Sequence, residues 1–333
     1  MSSALIDRYD FVFTPDEVEQ YKKLLLDVGG NPYFGYEDYK AAIATAAELV
    51  PSRFRDFCHE SVLRDFSEHP FVVIGNAPID DDLPVFDPTD PVADKYRKKK
   101  TFVAEGFLST YAVLTGTEII AHLTVNDGDF FHDIYPKRSM HESQSQKTLG
   151  TLRFHRDFTN HFVCPDFVNT LTLRDTPENE VYSTFAITKH VLRTMSDADL
   201  EILSQSRFHT PFDDVSRAST RLTLGEAKDH PIILDGQGGV KVFEGRTAAL
   251  DDEAARSLDR FLQALHANKQ LRISVPGDSV TFSNHHVIHG REVQQIRDPE
   301  SLSRRWLLKT HNVFSLGNFE EYFLDDRPGV VNG

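Results

Sequence analysis

Leu152-Arg153-Phe154-His155-Arg156-Asp157 puts an imidazole and a carboxylate two positions apart in a run with apolar flanks. Side chains two apart in a strand project to one face, so this pair is placed to touch one ion. A third donor stands far along the chain, in Ser283-Asn284-His285-His286-Val287-Ile288-His289-Gly290-Arg291-Glu292, where His289 follows an apolar pair and precedes a glycine. Two imidazoles and a carboxylate on one face of an octahedral metal leave three positions open. That suits Fe(II), which needs room for a chelating cosubstrate and for dioxygen. Zinc is the rival ion, but there is no second His-x-Asp and no cysteine ligand to favour it. A polar interruption of an ordinary strand is the plain alternative, since 15 histidines are scattered through the chain.

Past His289, the run Arg304-Arg305-Trp306-Leu307-Leu308-Lys309-Thr310 alternates as a strand. Arg305, Leu307 and Lys309 share one face, opposite Trp306, Leu308 and Thr310. Two cations facing the ligand end fit the far carboxylate of a dicarboxylate: arginine through a bidentate fork, lysine as a point charge.

The surrounding pattern is strand-rich, with helices before and between. Thr14, Pro15 and Glu17 form a capping box ahead of the apolar stripe Val18, Tyr21, Leu25 and Val28. A second helix is expected over Ala41–Val50, and the segment 106–123 is expected to pass from helix to strand. Phe71–Ile79 reads as a strand running into a turn and Asp166–Asp175 as a strand, with Gly239–Arg246 as the partner of Pro231–Asp235 around a glycine turn. Ala255, Leu258, Phe261, Leu262 and Leu265 line one side of a helix in 251–269. Strands paired over long separations predict a mainly β fold with flanking helices, a sandwich or barrel. No G-x-G-x-x-G joins a strand to a helix, which disfavours a Rossmann unit. Residues 1–333 are read as one domain: an N-terminal helical portion (1–69), a core (70–315) and a tail (316–333).

Acidic residues outnumber basic ones, 51 to 36, so the net charge of −15 opposes a nucleic-acid partner. The one basic run, Tyr96-Arg97-Lys98-Lys99-Lys100, reads as part of a long solvated loop spanning 80–100. No apolar run is long enough to cross a bilayer, so no membrane role is expected. The start lacks a basic segment followed by an apolar one, and two cysteines make no disulfide framework; a cytoplasmic location is expected.

Taken in order, LRFHRDFTNHFVCPDFVNTLTLRD, VYSTF, SVPGDSVTFSNHHVIHGREVQQ and RRWLLKTHNVF resemble the iron(II)/2-oxoglutarate oxygenases. The nearer resemblance is to their clavaminate-synthase-like branch, which includes arginine and asparagine β-hydroxylases of peptide-antibiotic biosynthesis. It implies a double-stranded β-helix (a jelly-roll, cupin-like core) holding Fe(II), with 2-oxoglutarate and O2 as cosubstrates. His155, Asp157 and His289 fall on the ligand positions; many members of the branch have glutamate where this chain has Asp157. Arg305 matches the arginine before the tryptophan. Lys309 stands where the resemblance implies an arginine paired with the far carboxylate of 2-oxoglutarate. Ser183 or Thr184 falls on the hydroxyl donor to that carboxylate, with the register open by one residue.

The resemblance also implies a hydroxylase of an amino-acid-like small molecule, free or presented by a carrier protein, with succinate and CO2 as co-products. Asn126, Asp127, Gln144 and Ser145 fall in the two regions that clamp the α-amino and α-carboxylate groups. Phe243 and Gly245 stand where the arginine hydroxylases have acids, which argues against arginine; Glu244 and Arg246 remain to read another polar tail. A desaturase or cyclase acting on a small acidic or amide-bearing metabolite is the runner-up. A cupin-like metal enzyme without 2-oxoglutarate and a binding protein on a degenerate β-helix are the more distant readings. The sequence leaves the oligomeric state open.

Overall fold

The computed structural model describes residues 4–212, 226–234 and 239–332. In chain order its strands are β1 (Ala4–Leu5), β2 (Phe11–Val12), β3 (Phe71–Gly75), β4 (Glu118–His122), β5 (His132–Ile134), β6 (Leu152–His155), β7 (Phe167–Arg174) and β8 (Glu180–Ile187). They continue with β9 (Phe208–His209), β10 (Ala248–Ala249), β11 (Gln270–Arg272), β12 (Ser279–Ser283), β13 (Val287–Gln295), β14 (Trp306–Val313), β15 (Phe323–Leu324) and β16 (Arg327–Val331). Two sheets dominate. The smaller runs β1-β11-β8-β13-β6; the larger runs β15-β16-β4-β14-β7-β12-β3-β2, with β5 also on β14. This is the double-stranded β-helix with flanking helices that the sequence led us to expect.

Helices α1 (Pro15–Asp27), α2 (Tyr36–Ala47), α3 (Ser52–Ser61) and α5 (Val103–Leu114) cover the outside of the larger sheet. The capping box at Thr14 forms in full, and α1 turns Tyr21 and Leu25 inward. Phe11, Phe13, Phe54 and Phe107 interlock with Tyr21 under them. Fully burying one such ring is worth about 1.5–3 kcal/mol, so this cluster is a main anchor of the helices. Trp306 and Leu308 of β14 point into the same layer, and the indole Nε1–H donates to Asp133 Oδ1 (3.0 Å). The helix Asp252–Ala267 covers the smaller sheet through Ala254, Leu258, Phe261 and Leu265; Ala254 rather than Ala255 completes the buried stripe. Between the sheets, Val73, Val168, Phe185, Val280, Phe282 and Val287 fill part of the interior.

Three local expectations change. The loop 80–100 contains a helix, α4 (Pro91–Lys98), capped by Asp90. Arg97, Lys98 and Lys100 of the basic run are exposed as expected, but Lys99 is 4% exposed and Lys95, just before the run, is fully buried, because carboxylates distant in the chain meet them. The N-terminal and C-terminal portions also add strands: β1 and β2 pair with β11 and β3, and β16 pairs with β4. Ile233 and Val240 form only an isolated bridge, and the glycine turn expected there lies outside the described residues.

Candidate metal centre

His155 and His289 are direct partners in the β6–β13 pairing. Sheet register alone therefore brings together two residues far apart in sequence. Their rings are 4.3 Å apart, centroid to centroid. The register shifts between His289 and Arg291, where β6 sets two residues, Arg153 and Phe154, against Gly290 alone and bends around it. Gly290 lies in that bend with no room for a side chain: a Cβ would meet the Leu152 carbonyl oxygen at 2.6 Å. Strand alternation does not place Asp157, because β6 ends at His155 and Asp157 begins a turn. Buried Asn284 does that work. Its Oδ1 accepts the Asp157 N–H (3.0 Å), and its Nδ2 donates to the carbonyls of Asp157 (3.1 Å) and Pro165 (3.0 Å).

Asp157 Oδ1 then lies 3.3 Å from His155 Nε2 and 3.6 Å from His289 Nε2. Donors about 2.1 Å from one ion on an octahedral face sit roughly 3 Å apart, so the three groups fit a single metal with little adjustment. Among the described residues they form the one group of this kind, with donor atoms within 4.8 Å of one another. The His155 Nδ1–H donates to the Arg153 carbonyl (2.8 Å), which leaves the Nε2 lone pair facing the site. Asp157 Oδ2 is held by Lys309 Nζ and His311 Nε2, both at 2.8 Å. Burial pushes the Asp157 carboxyl up, but Lys309 and His289 outweigh it and hold the group well below the usual carboxylate range. Burial brings His289 and His311 down to about 4, so both are neutral near pH 7, as a ligand and an N–H donor require.

No family model matches the chain. Clavaminate synthase 2 of Streptomyces clavuligerus is 23% identical over 275 residues, 80% of this chain and 78% of that protein. Enduracididine beta-hydroxylase of Streptomyces hygroscopicus is 23% identical over 326 residues, 88% and 91% of the two chains. Among solved structures, asparagine oxygenase in complex with Fe(II), 2S,3S-3-hydroxyasparagine and succinate superposes with a TM-score of 0.84 at 22% identity, covering 98% of this chain and 100% of that one. The non-heme iron oxygenase OrfP with Fe and alpha-ketoglutaric acid gives 0.81 at 23%, covering 96% and 99%. The chain has the fold of the non-haem iron oxygenases.

As in a site of that fold, the donors open onto a cavity of about 890 Å³, large enough for two small molecules. Arg305, Leu307, Lys309 and His311 from one face of β14 line it, as do Val168 and Thr170 of β7. Arg305 is 8% exposed and lowered by burial to about 10, with the Asp175 charge opposing the shift, and it forms no ion pair among the described residues. Its neighbour Arg291 is tied instead to the carbonyls of Thr148 and Gly150. Ser183 and Phe185 pair with Arg291 and His289 and face the cavity with them, whereas Thr184 pairs with Gly290 and lies on the other face.

Of the expected substrate contacts, Asn126, Gln144, Ser145 and Arg246 line the cavity. Gln144 is engaged with the Arg153 N–H and the Thr151 carbonyl. Asp127 and Glu244 are not at its wall. Asp127 adopts a left-handed backbone conformation in the turn, where its carbonyl accepts from Arg327, and the Glu244 carboxylate is bound by His266 and the Phe154 N–H. Arg156 lines the cavity with its guanidinium against His285 Nδ1 (2.6 Å).

Sequence reasoning passed over His311, His132 and Lys147. His311 was within reach, since it continues the face of Arg305, Leu307 and Lys309 by one more alternation. Nothing in the local pattern singles out His132 or Lys147.

Proposed function

We propose that the protein is an Fe(II)- and 2-oxoglutarate-dependent oxygenase that hydroxylates an amino-acid-like small molecule. One observation carries the reading: His155, Asp157 and His289 converge on the wall of a large cavity that also holds a buried Arg305 with no ion pair among the described residues. The relatives support the substrate class, since the solved structures hold hydroxylated asparagine or arginine beside iron and succinate. The residues fit the metal by donor type, spacing and tautomer.

A ferrous ion chelated by a 2-oxo acid supplies dioxygen activation, with one oxygen atom leaving in succinate and the other in the hydroxylated substrate as CO2 is released. The chain's own part is to hold and exclude. The triad would hold the ion. Lys309 and His311 occupy Asp157 Oδ2, which leaves Oδ1 available as a ligand, and Asn284 fixes the backbone beneath. Arg305, with Ser183 on the facing sheet, takes the far carboxylate of 2-oxoglutarate through a charged fork. Lys309 is already committed to Asp157, so Arg305 bears the larger share of this grip. Phe185, Phe282 and Leu307 line the cavity with apolar surface that keeps water from the reacting carbon. Free cysteines at positions 58 and 164 support a reducing, cytoplasmic setting.

Anaerobic addition of Fe(II) and 2-oxoglutarate is expected to give a visible charge-transfer band that His289→Ala and Asp157→Ala abolish. Absence of the band in the parent protein, under conditions that saturate both ligands, would overturn the proposal.

A further inference from the structure

The charges lining the cavity are unbalanced. Among the described residues, Asp157 is the only carboxylate at its wall, and Lys309 neutralises it. Five other cations line it, and none forms an ion pair among the described residues: Arg156 is held by His285 and Arg291 by the Thr148 and Gly150 carbonyls, which leaves Arg305, Lys147 and Arg246. Lys147 Nζ donates to Asn126 Oδ1 (2.6 Å), and burial lowers its pKa. Arg246 lies over the Phe243 ring (4.9 Å) and donates one bond to the Pro211 carbonyl (3.2 Å), which leaves most of its fork without an acceptor among the described residues.

Independent groups also point to a missing ligand. Asn126 Nδ2 is shut away from water with no acceptor among the described residues, although Asn126 holds a left-handed backbone conformation (φ 48°) that keeps its amide at the cavity wall. His132 lines the same cavity, is 0% exposed, and has no partner at either ring nitrogen among the described residues. Unmet buried donors of this kind each cost about 1–3 kcal/mol and are retained where a ligand completes them.

Arg305 is assigned above to the cosubstrate. Two cations on separate elements, the 143–147 segment and the 243–247 turn, are then left for the substrate. We propose that the substrate is a small dicarboxylate of the acidic amino acid type, with one carboxylate seated on Lys147 and Asn126 and the other on Arg246. This assignment rests on the oxygenase reading and narrows it: a guanidinium or ammonium tail would meet Arg246 as a like charge, and a neutral amide would leave it unpaired.

The test uses the full chain loaded anaerobically with Fe(II) and 2-oxoglutarate. Aspartate, glutamate, asparagine, glutamine and arginine are compared by their perturbation of the visible band and, in air, by stimulated succinate formation. The diacids are expected to bind about tenfold or more tighter than their amides, the worth of one charged hydrogen-bonded pair. Lys147→Gln and Arg246→Gln should each weaken diacid binding by about tenfold or more, while Lys147→Arg and Arg246→Lys recover most of it. Arg246→Glu should turn the preference toward arginine.

If the band never forms, the oxygenase reading fails and this inference falls with it. If it forms but amides or arginine bind better, or no compound binds, the dicarboxylate assignment alone is overturned. That assignment is also overturned if the two glutamine variants weaken 2-oxoglutarate instead of the diacid.

Discussion

Two regions of this molecule with buried cations compensate them in opposite ways. Behind the larger sheet, Lys95 Nζ meets Asp133 (2.6 Å) and Asp129 (3.3 Å), and Lys99 Nζ meets Asp80 (2.9 Å) and Glu105 (3.0 Å). Burial alone would lower Lys99, yet Glu105 and Asp80 reverse that and raise it. In the cavity, Arg305 has no such pair, and burial pulls it down to about 10. The first region spends its charges on holding α4 and α5 to the barrel. The second keeps its charges uncompensated, at a cost in stability that an incoming anion repays.

Substituting one cation in each region separates these roles. Lys99→Met strands two buried carboxylates and is expected to lower the unfolding free energy by about 3–5 kcal/mol, read by denaturant titration. A loss below about 1 kcal/mol would show that the pair is not holding the fold. Arg305→Met should do the reverse, leaving the metal-free chain as stable or more stable while weakening 2-oxoglutarate about 100-fold in anaerobic titration. Equal destabilisation by both variants would erase the contrast.

Lys309 belongs to neither class, since its partner is a metal ligand. Lys309→Met is expected to weaken Fe(II) about 10- to 100-fold, with a smaller effect on 2-oxoglutarate. Dominant loss of cosubstrate affinity would return Lys309 to the role implied by the sequence resemblance.

The smallest expected effect is acid sensitivity of the metal-free chain. His289 and His311 titrate near 4 when folded against an ordinary 6.5, so the unfolded chain takes up protons more readily. Their contribution is complete above about 6.5 and declines as the pH falls toward 4. The depressed Asp157 carboxyl acts in the same sense at lower pH. Lowering the pH from 7 to 5 should reduce Tm by roughly a few degrees; an unchanged Tm would contradict the neutral-histidine assignment.

The sequence made the triad legible because His155 and His289 sit in short apolar runs and Asp157 stands two positions from His155, although a turn rather than strand alternation places it. The face shared by Arg305, Leu307 and Lys309 was legible for the same reason. Pairings made across the chain were not. The run at 96–100 reads as a solvated patch because nothing local reveals that Asp80, Glu105, Asp129 and Asp133 converge on Lys95 and Lys99. Lys309 reads as a cosubstrate ligand from its strand face, and its contact with Asp157 is invisible there because the turn after His155 makes it. Asp127 and Glu244 have suitable chemistry, but backbone and side-chain partners elsewhere direct them away from the cavity. Thr184 and Ser183 differ by one residue, a distinction that only strand register decides.

The β6–β13 pairing also bears on how the protein matures in the cell. His155 and His289 become neighbours only after most of the polypeptide has been synthesised and the two strands have zipped together. A nascent or truncated chain therefore lacks the complete set of three donors. Iron uptake can accordingly serve as a readout of finished assembly, distinguishing a closed barrel from a collapsed chain that has the same helices.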